Sequence, residues 1–300
     1  MDEVDEAIVE LLEHDGRMSH PAIARAVGTS RSGAAARVQR LLGSGQVEVR
    51  GVVHPAVLGQ GALAYVTLTV QGPVAPVAAW VAEREDVPFV SLPTGRQVVL
   101  VEVRAGSTQE VDRAVTDLRS HPSVRAAEVL TYVEVVRDVV GPTGDVDGDV
   151  DETDLTLLRA LEEDGRASYV DLARLVRLSP AGVRRRVLRL LDDGLVRVGA
   201  IVRHSGRDRQ PTMGLGLRLS GDPAPVVARL AGDREVIFLA RTLGRFDLLV
   251  TLRAHAGADL AERIDRVRSL PGVEDVECWS HLHIVKETYA AVRVGGAPRS

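Results

Sequence analysis

The chain has 300 residues, of which 45% are hydrophobic and 26% charged, and its formal net charge is -5. That length is enough for two or more domains, and the single cysteine, Cys278, excludes an internal disulfide and a metal site built from several cysteines. No apolar run is long enough to span a bilayer, and the acidic N-terminus lacks the pattern of a signal peptide. We therefore expect a soluble, cytoplasmic protein.

The chain begins with a predicted helix. Val4, Ile8 and Leu12 recur at helical spacing and share one face. Gly16 follows them, and its lack of a side chain suits the left-handed conformation that commonly ends helices. We therefore predict a first helix that stops at the DGR segment, residues 15–17.

A second and a third helix complete a helix-turn-helix. Ser19 is suited to cap a short helix over 20–26, Gly28 to the following turn, and Ser30 to cap a third helix. The predicted buried face of that third helix comprises Ala34, Val38 and Leu41. The next segment, QVEVRGVV, alternates as a strand does and is predicted to form a wing.

The rest of this first half predicts a small sheet with two helices. Strands are predicted at 62–70, 87–92, 97–103 and 124–136, and helices at 73–85 and 108–121. This βαββαβ order is that of a ferredoxin-like sandwich. Helices cover one face of such a sheet, so we expect the other faces to pair, within a chain or between chains.

The second half of the chain repeats the first. Residues 4–50 align without a gap on residues 153–199, at an offset of 149, with 20 of 47 positions identical. The same offset places Gly95 on Gly244, so the repeat continues into the predicted sheets. We therefore predict two copies of one pair of domains in tandem.

The third helix of the second copy carries more positive charge. It lies within SPAGVRRRVLRLL, residues 179–191, with Pro180 at the first helical position. Arg177 stands where the first copy has Gly28, so no glycine supplies that turn. Residues 166–210 contain 11 Arg against 4 Asp. The local field is therefore positive although the whole chain is acidic.

A basic third helix in a helix-turn-helix predicts binding of double-stranded DNA through the major groove. The candidate contacts are Arg31, Ser32, Arg37, Gln39 and Arg40 in the first copy and Ser179, Arg184, Arg185, Arg186 and Arg189 in the second. Arg185 is expected to read a base. Arg37 and Arg186 flank the buried face and are expected to contact phosphate or to brace the fold. A charged helix face that is merely solvated is the alternative.

The predicted fold class is α+β: a winged helix-turn-helix domain followed by a ferredoxin-like domain, with the pair duplicated in tandem. The boundaries are 1–52 and 153–202 for the helix-turn-helix domains, 61–137 and 212–288 for the ferredoxin-like domains, 138–152 for an acidic linker and 289–300 for a tail. The linker lacks the Gly at position six and the Glu at position twelve of a calcium loop. A solvated linker is therefore expected rather than a calcium site.

This order of domains, with the DGR-x-S segment at 15–19 and again at 164–168, resembles the Lrp/AsnC family of transcription regulators over nearly the whole chain. The resemblance implies a regulator that is not an enzyme and needs no cofactor. It also implies self-association through the ferredoxin-like domains into a homo-oligomer. A small effector, often an amino acid, is expected to bind near a Gly-x-aromatic-Asp turn.

That turn is kept in the second copy, which has Gly244, Phe246 and Asp247. The first copy keeps Thr94 and Gly95 but has neither the aromatic residue nor the acid. By resemblance, these five residues are the candidate effector contacts, and the second copy is the better candidate. Glycines that only shape hairpin turns are the alternative.

Two other classes of function stay open. Sirohaem decarboxylases resemble the family in domain order, with a helix-turn-helix that does not serve DNA. An effector-sensing assembly module would not bind DNA either. On the last strand, His281 and His283 are expected on one face, as two metal ligands would be, but no carboxylate of that strand joins them. No metal site is predicted.

Overall fold

In the computed structural model the described residues are 2–45, 47–95, 98–138, 141–144, 146, 148–202, 212–253 and 257–288. They belong to two compact units, each built from two separate stretches of chain. Of the described residues, the first unit comprises those within 1–57 and 139–209, and the second those within 58–138 and 210–300. The predicted tail at 289–300 lies outside the described residues.

The helices and strands follow one another in the same order twice. The first round is α1 (Glu3–His14), α2 (His20–Ala26), α3 (Arg31–Gly43), β1 (Val47–Val53), β2 (Ala62–Val70), α4 (Val74–Ala82), β3 (Phe89–Pro93), β4 (Val99–Ala105), α5 (Thr108–Ser120) and β5 (Val124–Arg137). The second round is α6 (Glu152–Glu163), α7 (Tyr169–Val176), α8 (Pro180–Asp192), β6 (Val196–Val202), β7 (Thr212–Leu219), α9 (Ala224–Ala231), β8 (Val236–Leu243), β9 (Leu248–Arg253), α10 (Gly257–Arg268) and β10 (Val273–Glu287). The predicted elements are present, with small shifts of their ends. Among the described helices, none is both long and apolar enough to cross a membrane.

The first unit contains two helix-turn-helix heads, whose second and third helices begin at serine caps. Each cap accepts the backbone N–H of the third residue beyond it, and the four caps are Ser19, Ser30, Ser168 and Ser179. Such a bond satisfies one of the free donors at a helix start. The turn after α2 uses Gly28 at φ 68°, and in the second head Arg177 itself adopts a left-handed φ of 55°.

The predicted wing strand of each head is present, and its partner is the corresponding strand of the other head. β1 and β6 run antiparallel, with Val47 opposite Val202 and Val53 opposite Val196. The two heads therefore share a two-stranded sheet. Among the described strands, β1 and β6 pair only with each other.

Gly16 does not take the left-handed conformation predicted for it. The helix ends instead at Asp15 in extended backbone, φ -137°, and the N–H of Gly16 donates to the carbonyl oxygen of Val198 at 2.8 Å. A Cβ at Gly16 would lie only 3.0 Å from that oxygen. This glycine is needed because β1 of its own head, with Val49 2.6 Å from that Cβ, and β6 of the other head both lie against it, not because of its own backbone angle.

Two arginines cross between the heads. Arg17 donates to the carbonyl oxygens of Gly165 and Ala167 at 2.6 and 3.0 Å. Arg166 donates to the corresponding oxygens of the first head at 2.6 and 3.3 Å. The guanidinium of Arg17 also lies 4.8 Å from the centre of the Tyr169 ring. The DGR segments that mark the repeat therefore hold the two heads together.

The second unit is a closed barrel of eight strands, in the order β10-β3-β4-β2-β5-β8-β9-β7. Each half of the ring has the strand order of a ferredoxin-like sheet. The two halves join at both edges, where β5 pairs with β8 and β3 pairs with β10. The expected sheet pairing is thus found within one chain, and it is made through strand edges.

The helices pack on the outer face of the barrel, and aromatic side chains fill its interior. One outer core is centred on Val66, Val101 and Leu118, and the other contains Leu215 and Val250. The inner cluster comprises Leu100, Leu130, Leu249, Tyr65, Phe89, Tyr132, Phe238, Phe246 and Trp279. It includes all three phenylalanines of a chain that is only 3% aromatic. Scarce aromatic residues are therefore concentrated in one place.

Candidate functional site

A buried carboxylate ties the first and third helices of each head together. Asp5 is 2% exposed and accepts hydrogen bonds from Arg40 at 2.6 Å and from Arg37 at 2.7 Å. Asp154, which is 1% exposed, holds the two corresponding arginines of the second head. Burial raises the pKa of Asp5, but the bonds from Arg40 and Arg37 outweigh it and keep that pKa below its ordinary value.

Four of the predicted DNA contacts are therefore held in ion pairs inside a head. They are Arg37, Arg40, Arg186 and Arg189. Bracing was one of the two roles expected for Arg37 and Arg186. Arg40 and Arg189 were expected to contact DNA, yet their guanidinium groups reach back to the first helix of their head. A DNA contact made by either one would compete with that ion pair.

Two arginines of α8 are not used in this way. Arg184 and Arg185 are exposed, and neither forms an ion pair or hydrogen bond with any described residue. Ser179 precedes them, and its hydroxyl is engaged as the cap of the helix. The first turns of α8 therefore present two adjacent, unpaired positive charges to solvent.

The first head presents a different set of side chains at the same place. Arg31, Ser32 and Gln39 are exposed on α3. Ala35 and Ala36 occupy the positions that correspond to the two unpaired arginines of α8. This surface offers hydrogen-bonding groups and less charge.

In the second unit, two glycines of β7 make room for aromatic rings. A Cβ at Gly214 would overlap the indole of Trp279, and one at Gly216 would overlap the ring of Phe246. The two rings stack, with their centroids 6.3 Å apart and 24° between their planes. Tyr65 lies next to them, 6.1 Å from the ring of Trp279. The GLGL segment, residues 214–217, therefore leaves space for aromatic rings inside the barrel.

A small cleft opens beside these rings, at the turn that follows β3. Its volume is about 40 Å³, and it is lined by Tyr65, Thr67, Pro93, Thr94, Gly95, Leu100, Glu277, Cys278 and Trp279. The indole N–H of Trp279 is buried and has no partner among the described residues. The carboxylate of Glu277 is half exposed and pairs with Arg245 at 3.0 Å. Burial raises the pKa of Tyr65 well above its ordinary value, so its hydroxyl stays protonated.

Family comparison agrees with this architecture. The sequence pattern of the AsnC-type helix-turn-helix domain matches residues 1–42, and that of a winged helix-turn-helix DNA-binding domain matches 150–197. The pattern of the Lrp/AsnC ligand binding domain matches 215–291. The chain carries domains of the Lrp/AsnC family.

Two curated relatives each correspond to less than half of this chain. The HTH-type transcriptional regulator FL11 of Pyrococcus abyssi (strain GE5 / Orsay) is 26% identical over 141 residues, which are 46% of this chain and 93% of FL11. The HTH-type transcriptional regulator LysM of Sulfurisphaera tokodaii is 28% identical over 125 residues, 42% of this chain and 89% of LysM. Domains and relatives together indicate a DNA-binding transcriptional regulator of the Lrp/AsnC type with a ligand-binding domain.

A solved structure shares the fold along the whole chain. It is the siroheme decarboxylase NirDL in complex with an iron-uroporphyrin III analogue, and it has a TM-score of 0.65 and 13% sequence identity to this chain. The similarity covers 97% of this chain and 96% of NirDL. At that identity the likeness shows the fold alone.

The turn that the Lrp/AsnC resemblance favoured as effector site, between β8 and β9, has its groups already engaged. Phe246 is 4% exposed and lies in the barrel. The carboxylate of Asp247 accepts the N–H of Leu219 at 2.7 Å, and Gly244 lies against Leu130. At the other turn, the cleft is lined by Thr94 and Gly95. Which of these residues contact an effector therefore stays a prediction, and a cleft is present at the first turn.

The two histidines of the last strand do not share a face. β10 has a bulge between His281 and His283, which breaks the alternation that the sequence implies. Nδ1 of His281 lies 2.8 Å from the hydroxyl of Ser91, whereas His283 is exposed. Within the described ranges, no three metal-binding side chains come together.

Several residues that line this cleft were not predicted from the sequence. Tyr65, Trp279 and Glu277 come from strands far apart in the chain, so no local motif contains them. One signal was present in the GLGL segment of β7. Alternating glycines in a strand indicate that something large lies against it, and the register places Gly214 directly opposite Trp279.

Proposed function

We propose that this protein binds double-stranded DNA through α3 and α8 and regulates transcription in response to a small effector. The observation that carries this proposal is the exposed pair Arg184 and Arg185 on the third helix of a helix-turn-helix. Neither is used to brace the head, so both are available for phosphates and for guanine edges in the major groove. No stabilising role within the described structure accounts for them.

The test is a salt series of DNA binding, measured by fluorescence anisotropy with a labelled duplex. Binding by basic side chains weakens as salt rises, and each lost phosphate contact reduces the slope of log affinity against log salt by about 1. We expect the double variant Arg184→Ala, Arg185→Ala to bind more weakly and with a shallower slope. Arg113→Ala removes an exposed positive charge from α5, in the other unit, and is expected to leave the slope unchanged. Equal slopes in all three proteins would contradict the proposal.

The chain is a tandem duplication of one helix-turn-helix and one ligand-binding domain. The gapless repeat, with 20 of 47 identical positions, supports this. The repeated order of elements supports it as well, and so does the match of each relative to less than half of the chain. Each copy then supplies one reading head and one half of the barrel.

The effector is a small amino acid, and its site is the cleft lined by Thr94, Gly95, Tyr65, Glu277 and Trp279. The indole N–H of Trp279, which is buried beside Gly214 and has no partner among the described residues, is a donor suited to a carboxylate. Glu277, which also pairs with Arg245, is an acceptor suited to an ammonium group. A buried donor without a partner costs about 1–3 kcal/mol. A ligand oxygen that accepts this hydrogen bond would recover part of that cost.

Tryptophan emission reports on this site, because Trp279 lines it. We expect one or a few of the twenty amino acids to change the emission in a saturable way. Glu277→Gln is expected to weaken that ligand about tenfold, from the loss of a charge-assisted bond. Glu274→Gln is the matched control, since Glu274 is exposed on the same strand and outside the cleft. Equal affinities in the two variants would exclude the cleft as the site.

A tetrapyrrole-binding enzyme is the second candidate, favoured by the fold likeness to NirDL along the whole chain. Titration of an iron porphyrin with eight carboxylates, followed by its visible absorbance, separates the two. A regulator gives no saturable shift of the main absorption band. A saturable shift, together with no dependence of DNA binding on Arg184 and Arg185, would favour the enzyme.

Self-association between chains is also proposed, although the sheets already pair within one chain. Val133 and Leu282 are 51% and 70% exposed, and they lie at corresponding bulges of β5 and β10. Exposed apolar side chains at equivalent places suit a contact between copies. Sedimentation of the parent and of the variant Val133→Ser, Leu282→Ser tests this. A monomeric parent would refute it.

A further inference from the structure

The two helix-turn-helix heads are fixed to each other. The ladder between β1 and β6 runs over seven pairs of residues, from Val47–Val202 to Val53–Val196. Arg17 and Arg166 add reciprocal bonds to backbone oxygens of the opposite head. Hence α3 and α8 are presented to a duplex together, by one chain, without a second copy of the protein.

The side chains that brace the two heads are the same. Asp5 with Arg37 and Arg40 in the first head corresponds position for position to Asp154 with its two arginines in the second. This ion-pair cluster therefore does not distinguish the heads. A difference in DNA recognition is therefore expected from the exposed positions of α3 and α8.

Those exposed positions differ in chemistry. Ala36 on α3 corresponds to Arg185 on α8, and Ala35 corresponds to Arg184. In the other direction, the exposed Gln39 of α3 corresponds to Leu188. An arginine in the major groove pairs best with guanine, whereas a glutamine pairs best with adenine. The heads are thus suited to different bases.

We propose that a single chain reads a non-palindromic DNA element made of two unlike half-sites. The half-site under α8 contains guanine, contacted by Arg185, with Arg184 on the adjacent phosphates. The half-site under α3 is read by Ser32 and Gln39 and depends less on charge. This inference rests on the proposed function, because it presupposes that the heads bind DNA.

Selection from a randomised duplex library with the full chain, followed by sequencing, tests it. We expect one motif with two dissimilar halves. Arg185→Ala should lower the preference for guanine in one half about tenfold, the discrimination that one bidentate contact supplies, and leave the other half unchanged. Ala36→Arg gives the first head the missing arginine at an exposed position. It should add a guanine to the other half and make the motif more symmetric.

The outcomes separate this inference from the proposed function. A palindromic motif with the parent, or loss of both halves in Arg185→Ala, would overturn unequal reading while DNA binding stands. A library that is not enriched at all would overturn both. Arg113→Ala, selected in parallel, is expected to give the parent motif. Thermal melts followed by circular dichroism show whether each variant is folded.

Discussion

Phe246 stacks on Trp279 inside the barrel, and each ring lies over a glycine of β7. The ring centroids are 6.3 Å apart, and the glycines beneath them are Gly216 and Gly214. One ring comes from the turn between β8 and β9 and the other from β10, so the contact links distant parts of the second copy. Phe246 occupies its own turn, and a cleft lies at the other turn, beside Thr94 and Gly95.

This packing predicts that Gly216 tolerates no side chain. Gly216→Ala places a methyl group inside the ring of Phe246, and overpacking of this kind costs about 1–3 kcal/mol. We expect the midpoint of urea unfolding to fall accordingly. Both tryptophans, Trp80 and Trp279, lie in the barrel unit, so tryptophan fluorescence follows that unit.

Gly232→Ala is the matched control for this change. A Cβ there would make only ordinary contacts at 3.6 Å, and its backbone is helical at φ -80°. The control should unfold at the parent's urea concentration or slightly above it. Equal midpoints for both variants would mean that the rings move aside without cost.

The buried carboxylate of the first head predicts a second effect. Asp5→Asn removes the charge that holds Arg37 and Arg40 to α1, and hydrogen bonds to charged groups contribute about 1.5–3 kcal/mol. We expect the free energy of unfolding to fall by about 2 kcal/mol. Unfolding monitored by circular dichroism of the helices measures this loss. Glu10→Gln on the exposed face of α1 is the control and should be neutral. A variant as stable as the parent would show that the cluster contributes nothing net.

The same cluster predicts the direction of a pH effect. The pKa values of Asp2, Asp5 and Asp151 are lowered in the folded protein. A carboxyl group whose pKa is lower when folded stabilises the fold above its unfolded pKa, about 4, and loses that contribution as the pH falls through the folded value. The thermal midpoint of unfolding of the heads, followed by circular dichroism, should therefore fall below pH 4. Asp5→Asn should show a smaller change over that range, and an unchanged pH profile would be inconsistent with this linkage.

The left-handed residue of the second head predicts a stabilising substitution. Arg177 has φ 55°, a conformation that costs a residue with a side chain about 1 kcal/mol relative to glycine. Arg177→Gly is expected to raise the thermal midpoint of the heads. Gly28→Ala, at the equivalent turn of the first head, is expected to lower it. If both changes move the midpoint in the same direction, strain at this turn is not the reason.

The arginine bonds between the two heads predict a further effect. Arg17→Ala loses two bonds to backbone oxygens and the contact with Tyr169, so we expect a loss of about 1–3 kcal/mol. Arg25→Ala, which is exposed on α2, removes an equal charge as control. Stability in Arg17→Ala equal to that of the control would argue against coupling of the heads through this residue.

Local signals in the sequence predicted the helices, their serine caps and the order of strands. Ser30 and Gly28 act on neighbouring residues, and a pattern of 3.6 or 2 residues needs only the segment itself. The repeat added the long-range information that the two halves share one plan. These features were predictable because each depends on residues close together in the chain.

Contacts between the copies could not be read in the same way. Gly16 carries the signature of a helix end, yet a side chain there is excluded by Val49 and by the carbonyl oxygen of Val198, which lies in the other copy. Arg40 reads as an outward residue of α3, but Asp5 on another helix turns its side chain back. The cleft around Trp279 depends on the register of strands paired across the barrel. Such features follow from pairing, which no local pattern contains.

The closed barrel also determines what happens to the backbone at its edges. An open sheet presents unpaired N–H and C=O groups along its outermost strands, and these can recruit other chains into aggregates. Here the outer strands of one copy, β3 and β5, are covered by β10 and β8 of the other. Each copy thus shields the other. If either half of the barrel is produced alone, it exposes two unpaired strand edges. We therefore expect each half alone to precipitate and co-expression of the two halves to give a soluble pair.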